Sequence, residues 1–333
     1  MNQPAFPAQR SQLSAAALAN EVERRFGLRG NITCELFRAG LNDTYFVSTD
    51  SARFVLRVWR RGWRTDEDVA WELELLEHLE AQGSAVAGVI RDLQGESFWH
   101  IDAPEGTRQA ALFRYAPGVS IYTGHYTAET ARAFGTHAGK LHTAMDGFES
   151  KHARLELNLD HLLIEPLTHI EPRLSHRPED LAYLRAVAKR LHEELRKRIT
   201  DGLTWAACHG DLHGNNANWV DGAPTSFDFD CGGPGWRAYD IGVFSWAMSQ
   251  DRQNECDHDT LWQAFLSGYR TQYALEPRDL DAVPYFVAAR RIWMRGLHAE
   301  LAATDGHAWM DDAYFDAAFK LLRADDDALF GKT

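Results

Sequence analysis

With 333 residues, 45% of them hydrophobic and 25% charged, the chain is long enough for one large domain or two smaller ones, each with its own apolar core. Lys and Arg number 35 against 48 Asp and Glu, a formal net charge of −13, which argues against a general binder of nucleic acid or of anionic membrane, since phosphate backbones reward clustered positive charge. No apolar run approaches the ~20 residues that cross a bilayer, Met1 to Pro7 lacks the basic-then-apolar pattern of a secretion signal, and Cys34, Cys208, Cys231 and Cys256 form no C-x-x-C pair, so the expectation is a cytoplasmic protein with reduced thiols and no membrane partner.

Residues 13–26 carry the pattern of a short amphipathic helix. Ile32 to Phe37, Tyr45 to Ser48 and Arg53 to Val58 are β-prone runs separated by residues 39–43 and 49–51, a β-meander. Thr65 to Gln82 reads as a helix, capped by Thr65 and acidic in its first turn at Asp66, Glu67 and Asp68. Val86 to Ile90, Ser97 to Ile101 and Ala110 to Phe113 are further strand candidates before Ala116-Pro117-Gly118 breaks the pattern. Beyond residue 125 helices dominate: one after Thr127, with Ala131, Phe134, Ala138, Leu141 and Met145 at helical spacing, and one over roughly 178–200. A β-rich insert runs from Thr204 to Phe229, and residues 238–330 return to helices.

The insert carries the chemistry. In Cys208-His209-Gly210-Asp211-Leu212-His213-Gly214-Asn215-Asn216, Asp211 and Asn216 are five apart, and Thr225-Ser226-Phe227-Asp228-Phe229-Asp230 follows across a turn at 221–224. A turn centred near residues 222–223 sets Asn216 opposite about residues 228–230. Period-2 alternation along a strand then puts Asp228 and Asp230 on one face and Phe227 and Phe229 on the other. An Asn oxygen and an Asp carboxylate are hard ligands that suit Mg²⁺, and a nearby Asp211 can accept a hydroxyl proton. A rival reading makes His209, Asp211 and His213 the ligands of a metal-dependent hydrolase, but it leaves Asn216 and Asp228 without a role.

The spacing is that of the kinase catalytic loop, H-R-D-x-x-x-x-N, followed by a metal-binding Asp. With Gly210 in place of the arginine and F-D-F-D following, it resembles the aminoglycoside phosphotransferase and choline kinase-like family. Tyr239-Asp240-Ile241-Gly242 resembles that family's Y-D-L-A segment, and His142, ending Gly139-Lys140-Leu141-His142, its L-H helix end. The resemblance implies an α+β, two-lobed protein-kinase-like fold: a small β-rich N-lobe over 1–113 that binds nucleotide, a hinge at 114–118, and a larger helical C-lobe over 119–333. It implies ATP as donor, with GTP the alternative, and Mg²⁺ on Asn216 and Asp228. Asp211 is then the catalytic residue, with His209, Asp230 and Asp240 in support.

The same resemblance assigns the nucleotide side. Gly40-Leu41-Asn42-Asp43-Thr44-Tyr45 is similar to the phosphate-covering hairpin, with Gly40, Asn42 and Thr44 facing phosphates. Arg57 stands where the family has a phosphate-binding lysine, and the two are not interchangeable, because Arg offers a fixed fork of donors. Glu72 lies on or beside the apolar stripe of its helix, among Val69, Leu75 and Leu76, where a carboxylate wants a cation; Arg57 is the expected partner. Arg114 and Ala116 fall where the hinge meets the adenine edge. Asn42-Asp43-Thr44-Tyr45 and Leu56-Arg57-Val58-Trp59-Arg60 resemble the homoserine-kinase-like and stress-response-kinase-like branches.

The expected acceptor is a small molecule, plausibly an amine-bearing alcohol. The net charge and the late aromatics Trp246, Trp262, Tyr269, Trp293, Trp309 and Tyr314, with Asp251, Glu300, Asp311 and Asp312, suggest an ammonium site. A Ser/Thr protein substrate and a nucleotide-binding pseudokinase scaffold are the alternatives. Arg290 to His298 forms a distinctive segment to which the sequence assigns no chemistry.

Overall fold

A computed structural model describes residues 6–121, 126–249 and 256–331. The chain divides into two units: residues up to Pro117 together with 148–154 and 225–227, and the remainder from Gly118.

In the first unit, α1 (Ala15–Phe26) precedes β1 (Thr33–Ala39), β2 (Asn42–Ser48), β3 (Arg53–Trp59), α2 (Asp66–Ala81), β4 (Val89–Ile90), β5 (Trp99–Ala103) and β6 (Gly106–Arg114). The strands form one antiparallel sheet in the order β1-β2-β3-β6-β4, with β5 also on β6. Thr65 caps α2 in a reciprocal box with Asp68. The run from Val86 yields strand only at its last two residues. β2 begins earlier than the sequence suggests. The connection is Gly40-Leu41, and Asn42, Asp43 and Thr44 are strand rather than loop. Asp43 reads as a turn residue, yet its side chain is buried and its charge is met by Arg108 at 2.7 Å and Arg10 at 3.0 Å.

Strand alternation gives this sheet two faces. Tyr45, Val47, Leu56, Val58, Ala110 and Leu112 pack with Leu18, Val22 and Trp99 as the core. The opposite face carries Asn42 beside Trp59, Thr44 beside Arg57, and Arg57 beside Ala111.

The second unit is mostly helical. Its elements are β7 (Val119–Ser120), α3 (Ala128–Met145), α4 (Glu165–Ile170), α5 (Pro178–Thr200), β8 (Trp205–Cys208), β9 (Ala217–Val220), β10 (Ala223–Ser226), β11 (Gly233–Trp236), α6 (Arg237–Met248), α7 (His258–Tyr269), α8 (Pro277–Asp305) and α9 (Asp312–Phe330), the last two residues of β10 belonging to the first unit. Short strands hold the loops: β9 pairs with β7, and β11 pairs antiparallel with β8, setting Gly233 against Cys208. The small antiparallel sheet and the helical remainder make this the protein-kinase-like fold that the resemblance implies. Among the described residues no helix is long and apolar enough to cross a membrane.

α3 and α7 approach closely through glycine. A Cβ on Gly135 would lie 2.0 Å from the Phe265 carbonyl oxygen, and one on Gly268 2.0 Å from that of Arg132. Helix propensity alone favours Ala over Gly by ~1 kcal/mol. The contact reverses that sign: Gly135→Ala and Gly268→Ala should each lower the unfolding free energy by about 1–3 kcal/mol. Urea titration of the two variants checks this, and a gain in stability in either would refute the close approach.

Candidate active site

In the first unit, Arg57 on β3 donates from Nη1 to Glu72 Oε1 on α2 at 2.5 Å. Both side chains are buried, and the Arg57 guanidinium lies over the rings of Phe113 and Trp59 at 4.8 and 5.3 Å. Removing two charges from water is costly unless they are paired, and here they are. Thr44 is the cross-strand neighbour of Arg57. Asn42 shares the face. The Gly40 N–H closes the turn on the Asn42 carbonyl, and the Gly40 carbonyl accepts from Arg10 and Arg60, so Gly40 is committed to the hairpin itself. Arg114 ends β6 with its side chain on Glu80 at 3.0 Å, and Ala116 is buried.

In the second unit, the loop from His209 to Asn216 begins where β8 ends. Two backbone donors at its start, His209 N and Gly210 N, reach Asp240 Oδ2 and Oδ1 at 2.7 and 2.9 Å. Asp240 lies on α6, which is buried along almost its whole length. Oδ2 also takes His142 Nε2 at 2.9 Å, and His142 Nδ1 lies 2.6 Å from the Tyr269 hydroxyl. A carboxylate only accepts, so Nε2 carries the proton and the Tyr269 hydroxyl donates to Nδ1. Burial, helped by the neighbouring Arg237, holds the His142 imidazole at about 4, so it is neutral. Burial works against the Asp240 charge, but the hydrogen bonds from His142 and the loop hold its carboxyl below the usual range.

Asp211 lies next in this loop. Its Oδ1 accepts from Arg290 Nη2, and its Oδ2 from Asn216 Nδ2 at 2.9 Å, with His213 Nε2 at 3.3 Å. Burial alone would raise its pKa; His213 and Arg290 beside it hold the carboxyl far below the ordinary range. Asn216 Nδ2 also reaches the Asp211 carbonyl at 3.0 Å, so the amide nitrogen faces Asp211 and the oxygen is the atom left for a cation. His209 organises the loop: its ring stacks on Phe229 at 4.2 Å and its Nδ1 accepts from Asp211 N.

The Asp228 region departs from the expected strand. The hairpin turn is at Asp221-Gly222, both at positive φ, β10 ends at Ser226, and residues 229–231 form a 3₁₀ turn. Alternation along a strand therefore does not place the two carboxylates. Asp228 adopts the left-handed conformation, φ 66° and ψ 59°, which is rare outside glycine, and is exposed. Asp230 is buried at 2% exposure, not a solvated strand end. The charges of Asp211 and Asp228 both act on His209, against the burial that pushes its pKa down. The hydrolase reading fails. His209 and His213 each accept a backbone N–H at Nδ1, and no group of three His, Cys, Asp or Glu side chains able to hold a metal is found among the described residues.

Several residues named for the expected ammonium site have partners within the protein. Asp251 lies outside the described residues. Asp311 caps α9, Asp312 is bound to His176 and Arg177, and Glu300 is exposed. Trp246 and Trp293 stack on a cation already in the protein, Arg290; Tyr269 serves His142, and Tyr314 bonds His298 at 2.7 Å. Among the described residues, most of these side chains are thus already engaged within the protein. Arg290 itself escaped sequence reasoning. Its signal was the one that identified Glu72: a charge in an apolar helical run, here Val287-Ala288-Ala289 before and Ile292-Trp293 after.

The neutral buried His142 makes stability depend on pH. Its folded value, about 4, lies below the ordinary 6.5, so the unfolded chain binds the extra proton. The contribution is fully present above pH 6.5 and is lost as pH falls toward 4, by about 3 kcal/mol at the lower limit. Urea midpoints should fall steadily from pH 7.5 to 5. His142→Asn, which still donates to Asp240 but does not titrate, should be less stable at pH 7.5 and show a shallower decline. An unchanged slope would contradict the assignment.

Comparison with known proteins gives the family and the fold. A family model described as a phosphotransferase enzyme family matches residues 33–283. A protein of Deinococcus radiodurans is 41% identical over 95% of this chain and 91% of its own length. A homoserine kinase of Neisseria meningitidis is 28% identical over 75% of this chain and 76% of its own. Among solved structures, an amicoumacin kinase in complex with AMP-PNP and Ca²⁺ superposes with a TM-score of 0.76 at 17% identity, covering 95% of this chain and 94% of that one. The chain belongs to the phosphotransferase enzyme family, within the protein-kinase-like fold.

Proposed function

We propose that this protein transfers the γ-phosphoryl group of ATP to a hydroxyl of a small metabolite or antibiotic. The observation that carries the reading is Asp211, ionised and fixed from both oxygens, on a loop whose backbone is held by Asp240. Asp211 receives the acceptor hydroxyl and orients it, taking its proton as the bond to phosphorus forms. A carboxylate held this far below the usual range is a weak base, so orientation is its larger contribution and proton uptake comes late.

Asn216 and Asp228 would hold Mg²⁺. The donor set fits: an amide whose nitrogen is committed elsewhere offers only its oxygen, and Asp228 adds an exposed carboxylate. When bound, the ion neutralises charge on the phosphates. Arg57, fixed by Glu72, clamps phosphate oxygens, and Asn42 and Thr44 line the same face. The main-chain groups of Arg114 and Ala116 meet the adenine. The small-acceptor reading takes support from the homoserine and amicoumacin kinases among the similar proteins.

The test is calorimetric and kinetic. Wild type should bind ATP in a Mg²⁺-dependent manner and release ADP with at least one member of a panel of amino alcohols, hydroxy amino acids, sugars and hydroxylated antibiotics. Asp228→Asn, which tolerates the left-handed backbone, should lose the Mg²⁺-dependent part of binding and slow turnover by roughly 10²-fold or more. Binding indifferent to both Mg²⁺ and the substitution would sink the metal assignment. Phosphorylation of a generic Ser/Thr protein, with none of the panel, would transfer the reading to a protein kinase. Nucleotide binding without any turnover would make it a scaffold.

A further inference from the structure

We infer that Arg290 is a positioning residue for Asp211, acting from α8 on the plane of its carboxylate. The inference rests on the reading of Asp211 as the residue that receives the acceptor hydroxyl.

Arg290 is 2% exposed. Its Nη1 donates to the Gly210 carbonyl at 3.1 Å and to the Tyr239 hydroxyl at 2.8 Å, and its Nη2 to Asp211 Oδ1. The guanidinium lies over Trp293 at 4.3 Å and Trp246 at 5.2 Å. Trp293 is itself tethered, its Nε1 donating to His161 Nε2 at 2.9 Å. Two indoles therefore fix the plane of the fork, and the fork joins consecutive residues: the backbone of 210 and the side chain of 211. That defines the side-chain torsion of Asp211 relative to its own loop.

Stability does not require this. Buried ion pairs are often no better for folding than well-packed apolar groups of the same volume. What an apolar group or a lysine cannot supply is two coplanar donors at fixed separation. Asn216 holds the other carboxylate oxygen from the far end of the loop. An ionised carboxylate has about four acceptor sites. Arg290 and Asn216 occupy two and His213 approaches a third, so the direction left for an incoming hydroxyl is specified by the protein.

The test uses basal Mg²⁺-ATP hydrolysis, with water as acceptor, and crystal structures of the variants. Arg290→Ala should lower kcat by ~10²-fold while KM for ATP stays within about twofold, the signature of a lost transition-state alignment. Guanidinium chloride in the tens of millimolar should restore about tenfold of the loss, and sodium chloride at equal ionic strength should not. Arg290→Lys, which keeps the charge but not the fork, should remain at least ~10-fold impaired, and it replaces the alanine variant if that fails to fold. In the variant structure the Asp211 carboxylate should leave its position while α8 and the loop backbone remain. An unmoved carboxylate, or a kcat within threefold of wild type, overturns the inference. If wild type neither hydrolyses ATP nor turns over any hydroxylated acceptor of the panel, the phosphotransfer reading fails, and the position of Asp211 in the variant structure still decides this one.

Discussion

The carboxylate of Asp240 is the interaction on which the rest of the second unit depends. It takes three donors: two consecutive backbone N–H groups of the loop and the imidazole of His142. Those N–H groups lie where no water can reach them, and an unpaired buried donor costs about 1–3 kcal/mol. The loop can therefore enter the core only because a charge is waiting there. The charge in turn is tolerable because α3 supplies His142, α7 supplies Tyr269 behind it, and α6 carries Asp240 itself. β8 and β11 close the base of the loop, and Arg237, at the start of α6, bonds the carbonyls of Ala207 and His142 and the carboxylate of Asp146. Three helices and two strands thus converge on one backbone turn.

Several buried charges are met by an opposite charge. Glu72 has Arg57, Asp43 has Arg108 and Arg10, and Arg290 has Asp211 and two aromatic faces. Each partner comes from a distant part of the chain, so each pair records a tertiary contact. The net charge of −13 is by contrast largely a property of the surface. It does not by itself locate an ammonium site, because counting carboxylates near aromatics ignores what each already binds. Asp311 is spent on a helix cap and Asp312 on His176 and Arg177. Two of the four tryptophans expected to hold a ligand cation, Trp246 and Trp293, hold Arg290.

Elements defined by local rules were readable. Thr65 and Thr127 cap helices through reciprocal boxes, and the helix over 178–200 has the bounds its periodicity gives. Glu72 was legible because a carboxylate on an apolar stripe demands a cation. Misreadings came where tertiary context overrides local preference. Asp43 favours a turn, but two arginines draw it into the sheet. Asp228 and Asp230 alternate with two phenylalanines as a strand would, yet the backbone reverses at Asp228 into the left-handed region and the alternation fails. The role of Arg290 was hidden for a related reason: the apolar run around it marks a charge that needs a partner, but nothing within α8 reveals that the partner is 79 residues away.

Position 210 shows how these levels are coupled. Gly210 has φ +76°, and a Cβ there would lie 1.9 Å from the carbonyl oxygen of Cys231. No side chain fits, whatever its chemistry. The loop is thus pressed against the turn that follows Asp228. A cation at position 210 is sterically forbidden, so positive charge for Asp211 must arrive from another element. It arrives from α8, and the arginine that brings it bonds the carbonyl of Gly210 as well as the carboxylate of Asp211. The missing side chain and the distant arginine are therefore two parts of one arrangement: the glycine lets the loop close on the turn after Asp228, and the closed loop presents the carbonyl and carboxylate that a single fork can span.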